Sequence, residues 1–152
     1  MNIIFLDVDG VLNSLRYAKE LYYKNKRPYS GYDFPFDPRC LNNLKHLVEK
    51  TDSYLVITSS WRVHEKGREI LLAEFKKYGL DTRVIGYTDV LHTERGKEVL
   101  AYLDRLKEDV NYIILDDDSD FEGLEEYLIK TSFQNGLTEK ETILGIKKLT
   151  KQ

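Results

Sequence analysis

Ile3-Ile4-Phe5-Leu6-Asp7-Val8-Asp9-Gly10-Val11-Leu12-Asn13 is the stretch from which the fold is read. Four consecutive apolar residues describe a buried strand. Side chains two apart in an extended chain point the same way, so Asp7 and Asp9 project together where that strand ends. Two carboxylates at one point repel unless a cation or a shared proton compensates. A hard cation such as Mg²⁺ suits them, because it takes oxygen ligands and pairs with phosphate. Gly10 then permits a sharp turn and brings bare N–H groups close to an anion. Taken alone, the stretch reads equally well as an ordinary acidic turn.

It does not stand alone. Tyr54-Leu55-Val56-Ile57 runs into Thr58-Ser59-Ser60-Trp61-Arg62, and Tyr112-Ile113-Ile114-Leu115 runs into Asp116-Asp117-Asp118-Ser119-Asp120. Between them, Thr93-Glu94-Arg95-Gly96-Lys97 opens a helical pattern. The order is acid pair, hydroxyl, cation, second acid cluster, with three of the four directly after buried-strand patterns.

The organisation along the rest of the chain agrees with an α/β fold. Ser14 to Pro35 holds tyrosines and basic residues that fit no clean strand. Asp37-Pro38 starts a helix, with Asp as cap and Pro in the first turn, and Leu41, Leu44, Leu47 and Val48 give it an apolar face. A second helix through Ile70, Leu71, Phe75 and Tyr78 stops at Gly79. Arg83 to Ile85 is a short third strand, Arg95 to Leu106 a helix, and Leu128 to Thr131 a fifth strand after the fourth at Tyr112 to Leu115. Thr138 and Glu141 match a capping box before the last helix. Strands alternating with amphipathic helices predict a mostly parallel sheet covered on both faces, with ligands bound at the strands' carboxyl ends.

Composition bounds the function. The 152 residues fit one domain, 1–152, in which residues 14–35 form a small cap or flap insert. Hydrophobic residues make up 41% and charged residues 32%, and no run approaches the roughly 20 apolar residues of a membrane span. The N-terminus lacks a signal-peptide pattern, and Cys40 is the sole cysteine, so a reducing, cytoplasmic setting is expected and no membrane partner. A net charge of −3 argues against a chain coated in positive charge for duplex binding. There is no G-x-x-x-x-G-K-[ST] phosphate loop, no paired-histidine spacing among His46, His64 and His92, and no Ca²⁺-loop register in the 116–129 cluster.

The motif order and local sequences resemble the haloacid dehalogenase (HAD) superfamily over nearly the whole chain. Phe36-Asp37-Pro38, the Ser-Ser-Trp-Arg stretch and Asn135-Gly136-Leu137-Thr138 are most similar to the small HAD domains of RNA-repair proteins. The resemblance implies a Rossmann-like three-layer sandwich with a five-stranded sheet of order 5-4-1-2-3 and a minimal cap. It also implies Mg²⁺-dependent phosphoryl transfer. Asp7 would be the nucleophile and Asp9 the general acid and base, Thr58 the strand-end hydroxyl and Arg95 the cation that stabilises the transferring group. Ser59 and Ser60 compete with Thr58, the three together also reading as a helix cap, and Lys97 competes with Arg95. Gly10, Ser59, Ser60, Arg62 and Lys97 are expected around the phosphate. Asp7, Asp9 and Asp117 are expected to hold the metal, with Asp116 orienting its water; Asp118 and Asp120 are ligands, loop caps or solvated charge.

With little chain between motifs, the site should be open, which suits a phosphate at a polymer end. The expected substrate is therefore a single-stranded nucleic-acid end or nucleotide, with Lys, Arg and Tyr residues 16 to 32 as guide for the strand or as a packed flap. The rivals are a phosphatase of a small phosphometabolite or phosphoprotein, and a non-catalytic HAD-like binding module. Retention of all five motif positions argues against the last.

Overall fold

A computed structural model describes residues 1–150. Five strands, β1 (Asn2–Leu6), β2 (Ser53–Ile57), β3 (Val84–Tyr87), β4 (Asn111–Asp116) and β5 (Leu128–Lys130), form one sheet in the order β3-β2-β1-β4-β5. Every pairing is parallel. This is the order that the resemblance implies, with β1 and β4 as neighbours. The helices are α1 (Leu15–Asn25), α2 (Pro38–Thr51), α3 (Glu65–Lys76), α4 (Arg95–Leu106) and α5 (Glu139–Thr150). Among the described residues no helix is long and apolar enough to cross a membrane.

Alternation along the strands builds the three layers. Ile4, Leu6, Leu55, Ile57, Ile113 and Leu115 point to the face covered by Leu41, Leu44 and Leu47 of α2, Leu71 and Phe75 of α3, and Leu149 of α5. Ile3, Phe5, Val56 and Ile114 point to the other, covered by Val99 of α4 with Phe121 and Leu124. Phe5 is fully buried there, met edge-on by Tyr102 and Tyr112 at 5.8 and 5.7 Å. Each such side chain contributes roughly 1.5–3 kcal/mol by leaving water, and the strand centres are apolar on both faces because helices cover both.

Two elements differ from the expectation. The third strand runs two residues further, to Tyr87, after a register shift between Leu55 and Val56 of its neighbour. The stretch that fitted no strand contains α1, capped by Ser14, which accepts from the Tyr17 N–H. None of its residues is buried, so it offers no apolar stripe for the core. Its base is tied instead by polar bonds: Ser14 Oγ and Arg16 Nη2 each donate to Asp37 Oδ2 at 2.9 Å. Buried Asp37 also accepts from the Arg39 N–H and so caps α2.

Candidate active site

The parallel register brings three motifs to one level. Leu6 pairs with Ile57 on one side and Leu115 on the other. The next backbone bonds run from the Asp7 N–H to the Leu115 carbonyl at 3.0 Å and from the Thr58 N–H to the Leu6 carbonyl at 2.9 Å. Asp7, Thr58 and Asp116 therefore end their strands side by side, and all three are buried.

Carboxylate oxygens of Asp7, Asp116 and Asp117 lie within 4.8 Å of one another. Arg95 Nη1, from the first turn of α4, reaches Asp116 Oδ2 at 2.7 Å and Asp7 Oδ2 at 3.2 Å. One cation among three carboxylates leaves excess negative charge. Burial and the neighbouring Asp116 push Asp7 up to about 7, against the pull of Arg95. Burial and Asp116 also raise Asp117. Burial alone would lower Arg95, but Asp7 and Asp116 hold it above its ordinary value. A divalent cation would relieve this repulsion, and the all-oxygen donor set fits Mg²⁺.

Gly10 has a different role from the one expected. Its N–H donates to Asn13 Oδ1 at 2.9 Å, so that amide is not free to cradle a phosphate. It has φ +80°, and a Cβ there would collide with the Asp117 carboxylate. Glycine is what lets the two motif loops close on each other. Thr131 Oγ1 holds the same turn through the Gly10 carbonyl at 2.6 Å.

Asp9, expected among the metal ligands, is not in the group of converging carboxylates. Its Oδ1 accepts from Asn13 Nδ2 at 2.8 Å, and Trp61 Nε1 sits 3.3 Å from both of its oxygens. Both side chains supply donors to the Asp9 carboxylate. Asn13 and Trp61 are thus two site residues that motif reading missed as side-chain contacts.

Thr58 Oγ1 is the one buried side-chain polar atom among the described residues without a hydrogen-bond partner. Such a group is destabilising unless something completes it. Ser59 is engaged as the cap of the turn at 60–62, accepting from the Trp61 N–H at 3.2 Å. Ser60 is exposed. The unpaired hydroxyl distinguishes Thr58 from both.

Two expected phosphate contacts are not there. Arg62 is buried, with Nε and Nη1 donating to the Thr88 and Thr58 carbonyls at 2.8 and 2.6 Å and Nη2 pairing with Glu98 at 3.1 Å. It is a latch between the β2 and β3 ends and α4. Lys97 is exposed and pairs with Glu94 at 3.2 Å; two residues past Arg95, it lies on the opposite, solvent-facing side of α4. Asp120 accepts from the Arg95 N–H at 3.2 Å and so caps α4; Asp118 is exposed and accepts from the Ser119 N–H.

Beside Asp9 opens a groove of about 730 Å³, walled mainly by aromatic side chains. Tyr29 and Tyr32 of the insert are in it; Tyr22 and Tyr23 are not.

A family model described as the HAD domain in Swiss Army Knife RNA repair proteins matches residues 3–142. The chain belongs to this HAD family. The match spans every motif at the strand ends, from β1 into α5. No curated protein and no solved structure matches the chain.

Proposed function

We propose that this HAD domain is a Mg²⁺-dependent phosphomonoesterase acting through a phosphorylated Asp7. The observation that supports this most strongly is the meeting of Asp7, Asp116, Asp117 and Arg95 beside the unpaired Thr58 hydroxyl. Asp7, Asp117 and, in place of the water-orienting role expected of it, Asp116 would hold the ion, which when bound supplies positive charge against the carboxylates and the phosphoryl oxygens.

Arg95 holds Asp7 Oδ2, which leaves the other oxygen to attack phosphorus in line. As the Asp7–phosphorus bond forms and the bond to the leaving oxygen breaks, the Asp9 carboxyl gives that oxygen its proton. Asp9, now a carboxylate, takes a proton from water, the hydroxide oxygen bonds to phosphorus, and Asp7 is released with inorganic phosphate. Thr58 Oγ1 donates to a phosphoryl oxygen, and the Arg95 guanidinium offsets the developing charge. Trp61 and Asn13 hold Asp9 for both proton transfers.

We assign the substrate to nucleic-acid ends or nucleotides. The family's description as a domain of RNA-repair proteins supports this, as does the small size of the insert at 14–35, which would leave room for a polymer terminus. A cytoplasmic setting fits the lone, buried, unpaired Cys40. Phosphate release from 3′- and 5′-phosphorylated oligonucleotides, compared with glycerol phosphate in Mg²⁺, tests the reading. Preference for an oligonucleotide end is expected; a uniform preference for the small ester would remove the nucleic-acid assignment.

A further inference from the structure

Asp9 belongs to two neighbourhoods at once. It lies two residues from Asp7, and its side chain also lines the large groove. A carboxyl that protonates a leaving oxygen must face the leaving group. If the phosphatase reading holds, on which this inference rests, the body of the leaving alcohol lies in that groove.

The walls say what that body is. Tyr29, Tyr32 and Phe34 come from the insert, Trp61 and His64 from the segment after β2, and Phe133 from the segment after β5. Three segments far apart in sequence converge to build an aromatic slot. Its lining includes no lysine or arginine, and Asp9 is its sole carboxylate. A second phosphate would find no counter-charge there, whereas a planar, uncharged ring would find faces to stack on. Phe133 is 39% exposed and tilted at 46° to Phe34, 5.7 Å between centroids, so aromatic surface is left open to solvent. The groove is in the size range of sites that enclose one small molecule, about 300–1,000 Å³, and a whole strand would not fit.

We infer that this groove is a base site: it takes the nucleobase of the one nucleoside that carries the scissile phosphate. The aromatic side chains Tyr29, Phe34 and Phe133 hold the base, and the sugar hydroxyl that becomes the leaving group lies at Asp9. Recognition then stops at one nucleoside, so mononucleotides and strand ends are handled alike. The exposed tyrosines of α1 take no part; Tyr22 and Tyr23 pack on each other at 5.9 Å, away from the groove.

Trp61 is the only tryptophan in the chain and lines the groove, so it reports occupancy. Adenosine and guanosine, which carry no phosphate, are titrated into the full chain while Trp61 fluorescence is followed, with ribose as the control lacking a base. The same titration is made on Asp7→Asn, so that binding is read independently of turnover. Saturable changes with both nucleosides and none with ribose are expected in both proteins. Phe133→Ala and Tyr29→Ala should weaken binding by roughly 5- to 150-fold, the span that loss of one stacking partner gives. Tyr23→Ala, outside the groove, should leave it as it was. In turnover, the ratio of kcat/KM for a nucleoside monophosphate to that for glycerol phosphate should fall by a similar factor in Phe133→Ala. No saturable nucleoside signal, equal binding of ribose, or a groove-dependent preference for a phosphotyrosine peptide over nucleotides would overturn the base site. A chain that binds nucleosides through Phe133 but releases no phosphate from any ester would instead sink the phosphatase reading.

Discussion

At the scale of single residues, two side chains carry most of what can be tested. Asp7 is 3% exposed and held up to about 7 from an ordinary value of 3.8 by burial and by Asp116. A carboxyl with a raised folded-state pKa binds its proton more tightly in the folded chain. Its stabilising effect is full below pH 3.8 and is lost as pH rises toward about 7. Metal-free protein should therefore lose stability across that window. Asp7→Asn, which has no charge to bury, should be more stable than wild type at neutral pH without Mg²⁺, by on the order of 1–3 kcal/mol. Thermal melts in EDTA across pH check this; a less stable Asp7→Asn at neutral pH would mean that Arg95 outweighs the carboxylates. Trp61 gives the second prediction. Trp61→Phe keeps an aromatic ring but removes the Nε1 donor to Asp9, so proton delivery suffers. A fall in kcat of roughly tenfold is expected, a part of the 10²–10⁴ that positioned acid–base groups contribute. The fall should be larger for alkyl phosphates than for p-nitrophenyl phosphate, whose leaving group needs no proton. Equal losses on both would assign Trp61 to packing alone.

At the scale of elements, the legible parts were those whose signal is local. β1, β2 and β4 announce themselves as apolar runs, and Asp37-Pro38 starts α2 where its cap chemistry says it should. α1 did not, because a helix with no buried residue has no periodic stripe to read. Arg62 misled for a related reason. A cation after a strand-end hydroxyl looks like a phosphate ligand in sequence, and only the fold shows that carbonyls of Thr58, Ser59 and Thr88 with Glu98 use up its donors. Arg62→Ala should strand the buried Glu98 carboxylate and cost about 3–5 kcal/mol, the usual penalty for removing one partner of a buried pair. Chemical denaturation measures it, and a loss under 1 kcal/mol would show that the latch is dispensable. Asp120 caps α4, so Asp120→Ala should cost about 1 kcal/mol of stability while the Mg²⁺ requirement stays close to wild type.

At the scale of the whole molecule, the parallel sheet is what makes a site from residues as distant as Asp7, Thr58, Arg95 and Asp117. The motifs themselves were readable one by one, but the choice between competitors was not. Thr58 stands out from Ser59 and Ser60 by its unpaired hydroxyl, and Arg95 from Lys97 by which side of α4 faces the sheet. The aromatic groove was beyond reach, because its walls come from segments that nothing in the sequence joins. If the three converging carboxylates form the metal site, Mg²⁺ should raise the melting temperature of the wild type, by roughly 2–4 °C per kcal/mol of binding in a domain of this size. Asp117→Ala should abolish that rise, and a rise of the same size in Asp117→Ala would place the ion elsewhere.

Phosphate release from a phosphorylated oligonucleotide in Mg²⁺, measured on wild type and Asp7→Asn purified side by side, tests the central claim most directly. Wild type should turn over and Asp7→Asn should show no activity above background while remaining folded, because an amide keeps the shape of the nucleophile but cannot attack phosphorus. Turnover by Asp7→Asn near the wild-type rate would contradict the account.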